Sequence, residues 1–131
     1  KILGRNKILP NNSLQKNLQH ASYVICEYPQ TAYIESFVCT PTFLVCDITK
    51  IFKPYKHLKK IYKLLESNNL LFKNVEAFLK FINKDTLDIN QFWNKPKILL
   101  VRKKFEKEFS IGTLDTLLNS WEKFLKKQSY D

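Results

Sequence analysis

The sequence predicts an α/β domain, a parallel βαβ core closed by several helices, and three observations carry that expectation. Two short apolar runs rich in β-formers, residues 21–26 and 42–46, flank a segment of helical length. Most of the remaining chain repeats apolar residues at helical spacing. Turn formers are scarce, with two glycines and five prolines in 131 residues, which argues against an all-β sandwich with its many tight turns.

Lys1 to Pro10 mixes apolar and basic residues without a period and ends at Pro10-Asn11-Asn12, the pattern of an interdomain entry loop. Ser13 is placed to cap a short helix through Leu14 and Leu18, because its hydroxyl satisfies a first-turn N–H. Ala21-Ser22-Tyr23-Val24-Ile25-Cys26 then reads as a strand buried on both faces of a parallel sheet. Tyr28-Pro29-Gln30 makes a tight connection, since Pro29 fixes its φ and offers no N–H. A helix from about Thr31 to Cys39 follows, stopped by Thr40-Pro41, and Thr42-Phe43-Leu44-Val45-Cys46 is the second buried strand. Strand, helix and strand this close together imply a parallel pair joined by a right-handed crossover.

Leu58, Ile61, Tyr62, Leu64 and Leu65 line one face of a helix over Pro54 to Ser67, which Asn68-Asn69 ends. Leu70-Leu71-Phe72 reads as an edge strand, and Asn74 caps a helix carrying Val75, Phe78, Leu79 and Ile82. Phe92-Trp93 falls in a polar linker. Two closing helices are expected over about Lys97 to Phe109 and Thr113 to Lys127, the second with an apolar stripe that includes Leu114, Leu118 and Trp121. The expected organisation is an entry segment over 1–20, a ligand-binding core over 21–86, and a helical tail over 87–131 packed back on it.

With 44% hydrophobic and 14% aromatic residues, the chain has the apolar material for one core. No stretch approaches the roughly 18–20 apolar residues of a membrane span, and no opening segment has the pattern of a signal peptide, so a soluble domain is expected. The absence of Met reads as a fragment of a longer protein. Cys26, Cys39 and Cys46 lie in apolar stretches without metal-ligand spacing to one another or to His20 and His57. They read as small buried residues in a reducing compartment, with no metal site. The net charge of +10 suits nucleic acid or an anionic membrane surface. The lysines are scattered on helix faces, as in Lys56, Lys59, Lys60 and Lys63, which is the pattern of a solvated face.

In an open parallel sheet, ligands bind beyond the carboxyl ends of the strands. That rim carries Glu27-Tyr28-Pro29-Gln30-Thr31 and Asp47-Ile48-Thr49-Lys50. The helix opening near Thr31 presents free N–H groups and a positive dipole end to a phosphate or diphosphate. Thr31 adds a hydroxyl, and Glu35, four residues on, shares its face one turn deeper and suits ribose hydroxyls. The plain structural alternative makes Thr31 a helix cap and Glu35 a paired surface carboxylate. Trp121 falls on an apolar stripe and reads as core, whereas Trp93 suits either core or ligand stacking.

Ala21 to Asp47 resembles the donor-binding βαβ of GT-B glycosyltransferases, and is most similar to a surface-polysaccharide transferase family associated with O-antigen clusters. More distantly it resembles Kdo and polyol-phosphate transferases. The shared pattern is an apolar strand, the acidic-aromatic pair Glu27-Tyr28, Thr31 opening a helix, Glu35 within it, and Pro41 introducing the next strand. Residues 72–82, Phe92-Trp93 and residues 105–109 are similar to that family's C-terminal tail. Pro29-Gln30 stand where related transferases place two small hydroxyl residues.

The resemblance implies a Rossmann-like nucleotide-sugar-binding domain over 21–86, the C-terminal half of a glycosyltransferase of lipopolysaccharide or other surface-polysaccharide biosynthesis. It implies donor-binding roles for Glu27, Tyr28, Thr31 and Glu35, to which their place on the rim adds Gln30 and Lys50 as donor-binding candidates, with Arg5, Lys7 or Lys50 supplying charge to the leaving diphosphate. Catalytic residues stay unassigned. No cofactor beyond the donor and no metal are implied. The implied partners are the nucleotide sugar, an N-terminal domain of the same protein, and a lipid-linked or polysaccharide acceptor at the cytoplasmic side of the inner membrane. No nucleic acid is expected, although the charge keeps open the alternative of a nucleic-acid-binding or membrane-surface module without catalysis.

Overall fold

The chain begins its described part with a short helix, α1 (Leu14–Leu18), and then builds a three-stranded sheet from β1 (Val24–Cys26), β2 (Thr42–Val45) and β3 (Leu71–Phe72). The computed structural model describes residues 14–51 and 56–109. The expected entry loop, the cap at Ser13, Arg5, Lys7 and the closing helix with Trp121 lie outside the described residues. β1 pairs in parallel with β2, with Val24 opposite Thr42 and Cys26 opposite Leu44. β2 pairs in parallel with β3, with Leu44 opposite Leu71 and Val45 opposite Phe72. The spatial order is therefore the sequence order, β1-β2-β3.

The first crossover is α2 (Thr31–Cys39), with the bounds that the sequence predicts. The second comprises α3 (Ile48–Ile51) and α4 (Lys56–Ser67). Both crossovers step in the same direction along the sheet, so right-handed connections put α2 and α4 on one face. α7 (Pro96–Glu108) packs across both of them there. Tyr33 and Phe37 of α2 meet Phe105 of α7, with ring centroids 5.6 and 4.3 Å apart. α4 ends because Asn69 takes a positive φ of 56°, which asparagine tolerates better than most residues. Leu70 N–H then donates to the Leu65 carbonyl at 3.0 Å and Asn69 N–H to Glu66 at 3.2 Å, satisfying carbonyls that the helix end leaves over.

The other face is aromatic. Phe43, fully buried at the centre of the sheet, touches Phe72, Phe78, Phe81 and Phe92 with centroids 5.6 to 6.3 Å apart. Phe78 and Phe81 come from α5 (Val75–Ile82), whose first turn is capped by the Asn74 carboxamide accepting from Ala77 N–H at 2.8 Å. The inward stripe is thus Phe78 and Phe81, while Val75 and Leu79 are exposed. The polar linker expected around Phe92-Trp93 is instead a turn of helix, α6 (Ile89–Trp93), capped by Asp88 through Gln91 N–H at 2.9 Å. Both aromatics are buried. Phe92 faces the aromatic side of the sheet, while Trp93 packs on Phe37 at 5.2 Å, so consecutive side chains join the cores on the two faces. Trp93 is a core residue, not an open stacking platform.

Two further expectations change. β1 is not buried on both faces: Ile25 is 47% exposed and Tyr23 37%. Among the described residues β1 is paired along one edge only, and the aromatic helices cover β2 and β3 rather than β1. The cysteines also differ in setting, with Cys46 buried, Cys26 half-buried and Cys39 exposed, since Cys39 ends α2 on its outward side.

Candidate functional site

Parallel strands end together, so Glu27 to Thr31 after β1 and Asp47 to Lys50 after β2 share the carboxyl rim of the sheet. Glu27 and Tyr28 sit in the bend leaving β1, both exposed, and Gln30 and Thr31 are exposed where α2 begins. Gln30, not Thr31, is the N-cap residue: its backbone is extended (φ −100°, ψ −176°) and its side chain makes no capping bond. Its carbonyl accepts from the N–H groups of Tyr33 and Ile34 at 2.9 and 3.2 Å. Thr31 and Ala32 are the first two helical residues, and their N–H groups have no acceptor among the described residues. A nine-residue helix therefore points two free donors and the positive end of its dipole at the rim. The simple capping role open to Thr31 from sequence is not the one it plays.

Glu35 is exposed, one turn into α2, and forms no ion pair among the described residues. The structure thus places Thr31 and Glu35 on one side of α2 near the rim, as the spacing predicts. Lys50 follows β2 at the same rim. It lies on α3 with its Nζ 3.7 Å from Asp47 Oδ2 and is largely exposed. Asp47 occupies the amino end of α3 itself, its Oδ1 accepting from Thr49 N–H at 3.1 Å and from the Thr49 hydroxyl at 2.6 Å. The Thr49 hydroxyl, more than the Thr49 N–H or Lys50, holds the Asp47 carboxyl below its ordinary range. α3 has therefore filled its own positive end with a carboxylate, and α2 has not.

Sequence reasoning missed the group beneath this rim. Tyr33 is 1% exposed, and its hydroxyl has no hydrogen-bond partner among the described residues. Burial first, and then the neighbouring Tyr62, Cys26 and Cys46, push that hydroxyl well above its ordinary range. Burial likewise raises the Cys26 thiol, and burial with Asp47 nearby pushes Cys46 up to about 11. Raised values disfavour the thiolate, the form in which a cysteine acts as a nucleophile. The signal available in the sequence was the position of Tyr33, two residues past the helix start and on its inward face.

An open groove of about 640 Å³ lies at the opposite end of the sheet, lined by His20, Ala21, Ser22, Cys39, Thr40 and Asn90 among others. It borders the amino ends of the strands, where parallel sheets do not present helix N-termini, so the rim is the stronger candidate. Among the described residues no three His, Cys, Asp or Glu side chains are grouped to hold a metal. No helix among them is long and apolar enough to cross a membrane.

The model of the LIC12162 family of transferases matches residues 2–125, nearly the whole chain. No curated protein and no solved structure matches it.

Proposed function

This chain belongs to the LIC12162 family of transferases, and we propose that it holds the nucleotide-activated sugar donor of a glycosyl transfer. The observation that carries the reading is the uncapped start of α2, with the free N–H groups of Thr31 and Ala32 at the carboxyl rim of a parallel sheet. Such a terminus suits a diphosphate. The Thr31 hydroxyl adds a third donor, and the Glu35 carboxylate one turn deeper receives ribose hydroxyls. Glu27, Tyr28 and Gln30 border the same rim, Tyr28 with an exposed ring that suits stacking.

In the transfer, an acceptor hydroxyl attacks the anomeric carbon of the donor sugar. The bond from that carbon to the diphosphate oxygen breaks, its electron pair leaves with the nucleoside diphosphate, and a base takes the hydroxyl proton. The growing charge on the diphosphate falls on donors already aimed at it, which stabilises the transition state without a metal. The acceptor and the base come from a further domain of the same protein, closing a cleft over the rim in the manner of GT-B enzymes. The outer edge of β1, unpaired among the described residues, and the exposed Ile25 beside it fit a surface that packs against further protein. Within that reading the product is a bacterial surface polysaccharide, and the work is done at the cytoplasmic side of the inner membrane.

Ligand-detected NMR of the chain with CMP, CDP, UDP and GDP tests the proposal, repeated on Thr31→Pro and Glu35→Ala. Proline is compatible with the first helical position after an extended residue, so Thr31→Pro removes one N–H and the hydroxyl while leaving α2 intact. Binding that prefers one diphosphate and weakens at least tenfold in Thr31→Pro is the expected result. Binding indifferent to both substitutions, or absent for every nucleotide, would overturn the reading.

A further inference from the structure

The α4–α7 pair turns a second surface outward, separate from the rim. An open groove of about 650 Å³ runs between the two helices, lined by Lys60, Ile61, Leu64, Lys104, Lys107 and Glu108. Its floor is apolar, with Ile61 buried and Leu64 half-buried, and its walls are three lysines and Glu108, a net positive lining. Lys59 and Lys63 on α4 and Lys103 on α7 extend the basic surface and are exposed. Leu100 stands on the same side of α7 as Lys104 and Lys107, at helical spacing, and is 57% exposed.

We propose that this α4–α7 face docks on an anionic lipid bilayer, lysines against the headgroups and Leu100 at the acyl boundary. Exposed leucine beside a lysine cluster is the pattern of an interfacial helix face, and each lysine held near an anionic leaflet adds about a fivefold gain in partitioning. A nucleic acid fits the same face less well. It is recognised by arginine forks and stacked aromatics, whereas the aromatics of α4 and α7 are buried or half-buried. The arginine of α7, Arg102, lies over the Trp93 ring at 4.6 Å. The inference rests on these side chains and not on the donor reading: vesicle binding and nucleotide binding are read separately, and either can fail alone.

The test is flotation of the chain with phosphatidylcholine vesicles, with and without phosphatidylglycerol, at low salt and at about 0.15 M. Binding only to the anionic vesicles, weakened by salt, is expected. The triple change Lys60→Gln, Lys104→Gln, Lys107→Gln lowers it about a hundredfold, and Leu100→Ser lowers it severalfold. The equally charged control Lys80→Gln, Lys84→Gln, Lys95→Gln, on α5, the loop after it and the residue before α7, changes it less than about fivefold. Undiminished binding in the first triple variant, equal losses in both triples, no binding to anionic vesicles, or duplex DNA that displaces the chain from them would each overturn the proposal.

Discussion

Tyr33→Phe should stabilise this protein, against the usual direction for the loss of a buried polar group. The Tyr33 ring packs on Phe37 at 5.5 Å and on Phe105 at 5.6 Å, and phenylalanine keeps both contacts. What the substitution removes is a hydroxyl that is buried without a partner among the described residues. Leaving such a group unpaired costs about 1–3 kcal/mol, and part of that returns when it is deleted. We therefore expect a gain of about 1 kcal/mol, or about 4 °C in Tm for a domain of this size. Urea denaturation followed by circular dichroism measures it, read as a higher midpoint at unchanged slope. A loss of about 1 kcal/mol would mean that the hydroxyl makes a bond in the native protein, and would refute the reasoning. The same variant separates stability from ligand binding, because Tyr33 lies beneath the rim and its ring is retained.

Phe43→Ala removes the ring on which the aromatic face converges and should cost about 3–5 kcal/mol in a denaturation experiment; a cost below about 1 kcal/mol would show that this face is not packed as described. Asn74→Ala deletes the α5 cap and should cost about 1 kcal/mol, with Asn74→Ser restoring most of it. Stability should also fall in alkali. Tyr33, Tyr62, Cys26 and Cys46 all have folded-state pKa values raised by burial, so their contribution is complete below the ordinary thiol value of 9.0 and is lost as pH rises through the raised values. A midpoint that stays constant from neutrality to pH 11, the value to which Cys46 is pushed, would contradict those burials.

Much of the fold was legible because its signals are local. The residue before α2 follows Pro29 and Thr40-Pro41 closes it, so chain chemistry alone sets both ends. Asn74 announces α5 in the same way. The misread elements depend on partners distant in sequence. Phe92-Trp93 sit among polar neighbours, and their burial comes from Phe43 and Phe37, roughly fifty residues back in the chain. Ile25 looks like any residue of a buried strand, and it is exposed because β1 stands at the end of the strand order. At the site, the spacing of Thr31 and Glu35 was readable, since four residues on a helix fix a shared face. That Asp47 fills the start of α3 while α2 stays open was not, because both stretches carry threonines and polar residues at similar places. Nor was the orphaned Tyr33 hydroxyl, which is defined by what surrounds it.

The central claim is that the open amino end of α2 receives a diphosphate. Amide-resolved NMR of the isotope-labelled chain titrated with CDP, UDP and GDP tests it most directly. The account predicts that one of them shifts the Thr31 and Ala32 amides most, with smaller changes at Tyr28 and Gln30, and that inorganic phosphate shifts the same amides more weakly. Shifts confined to Ala21, Ser22 and Thr40 at the opposite end of the sheet, or no shift with any nucleotide, would contradict it.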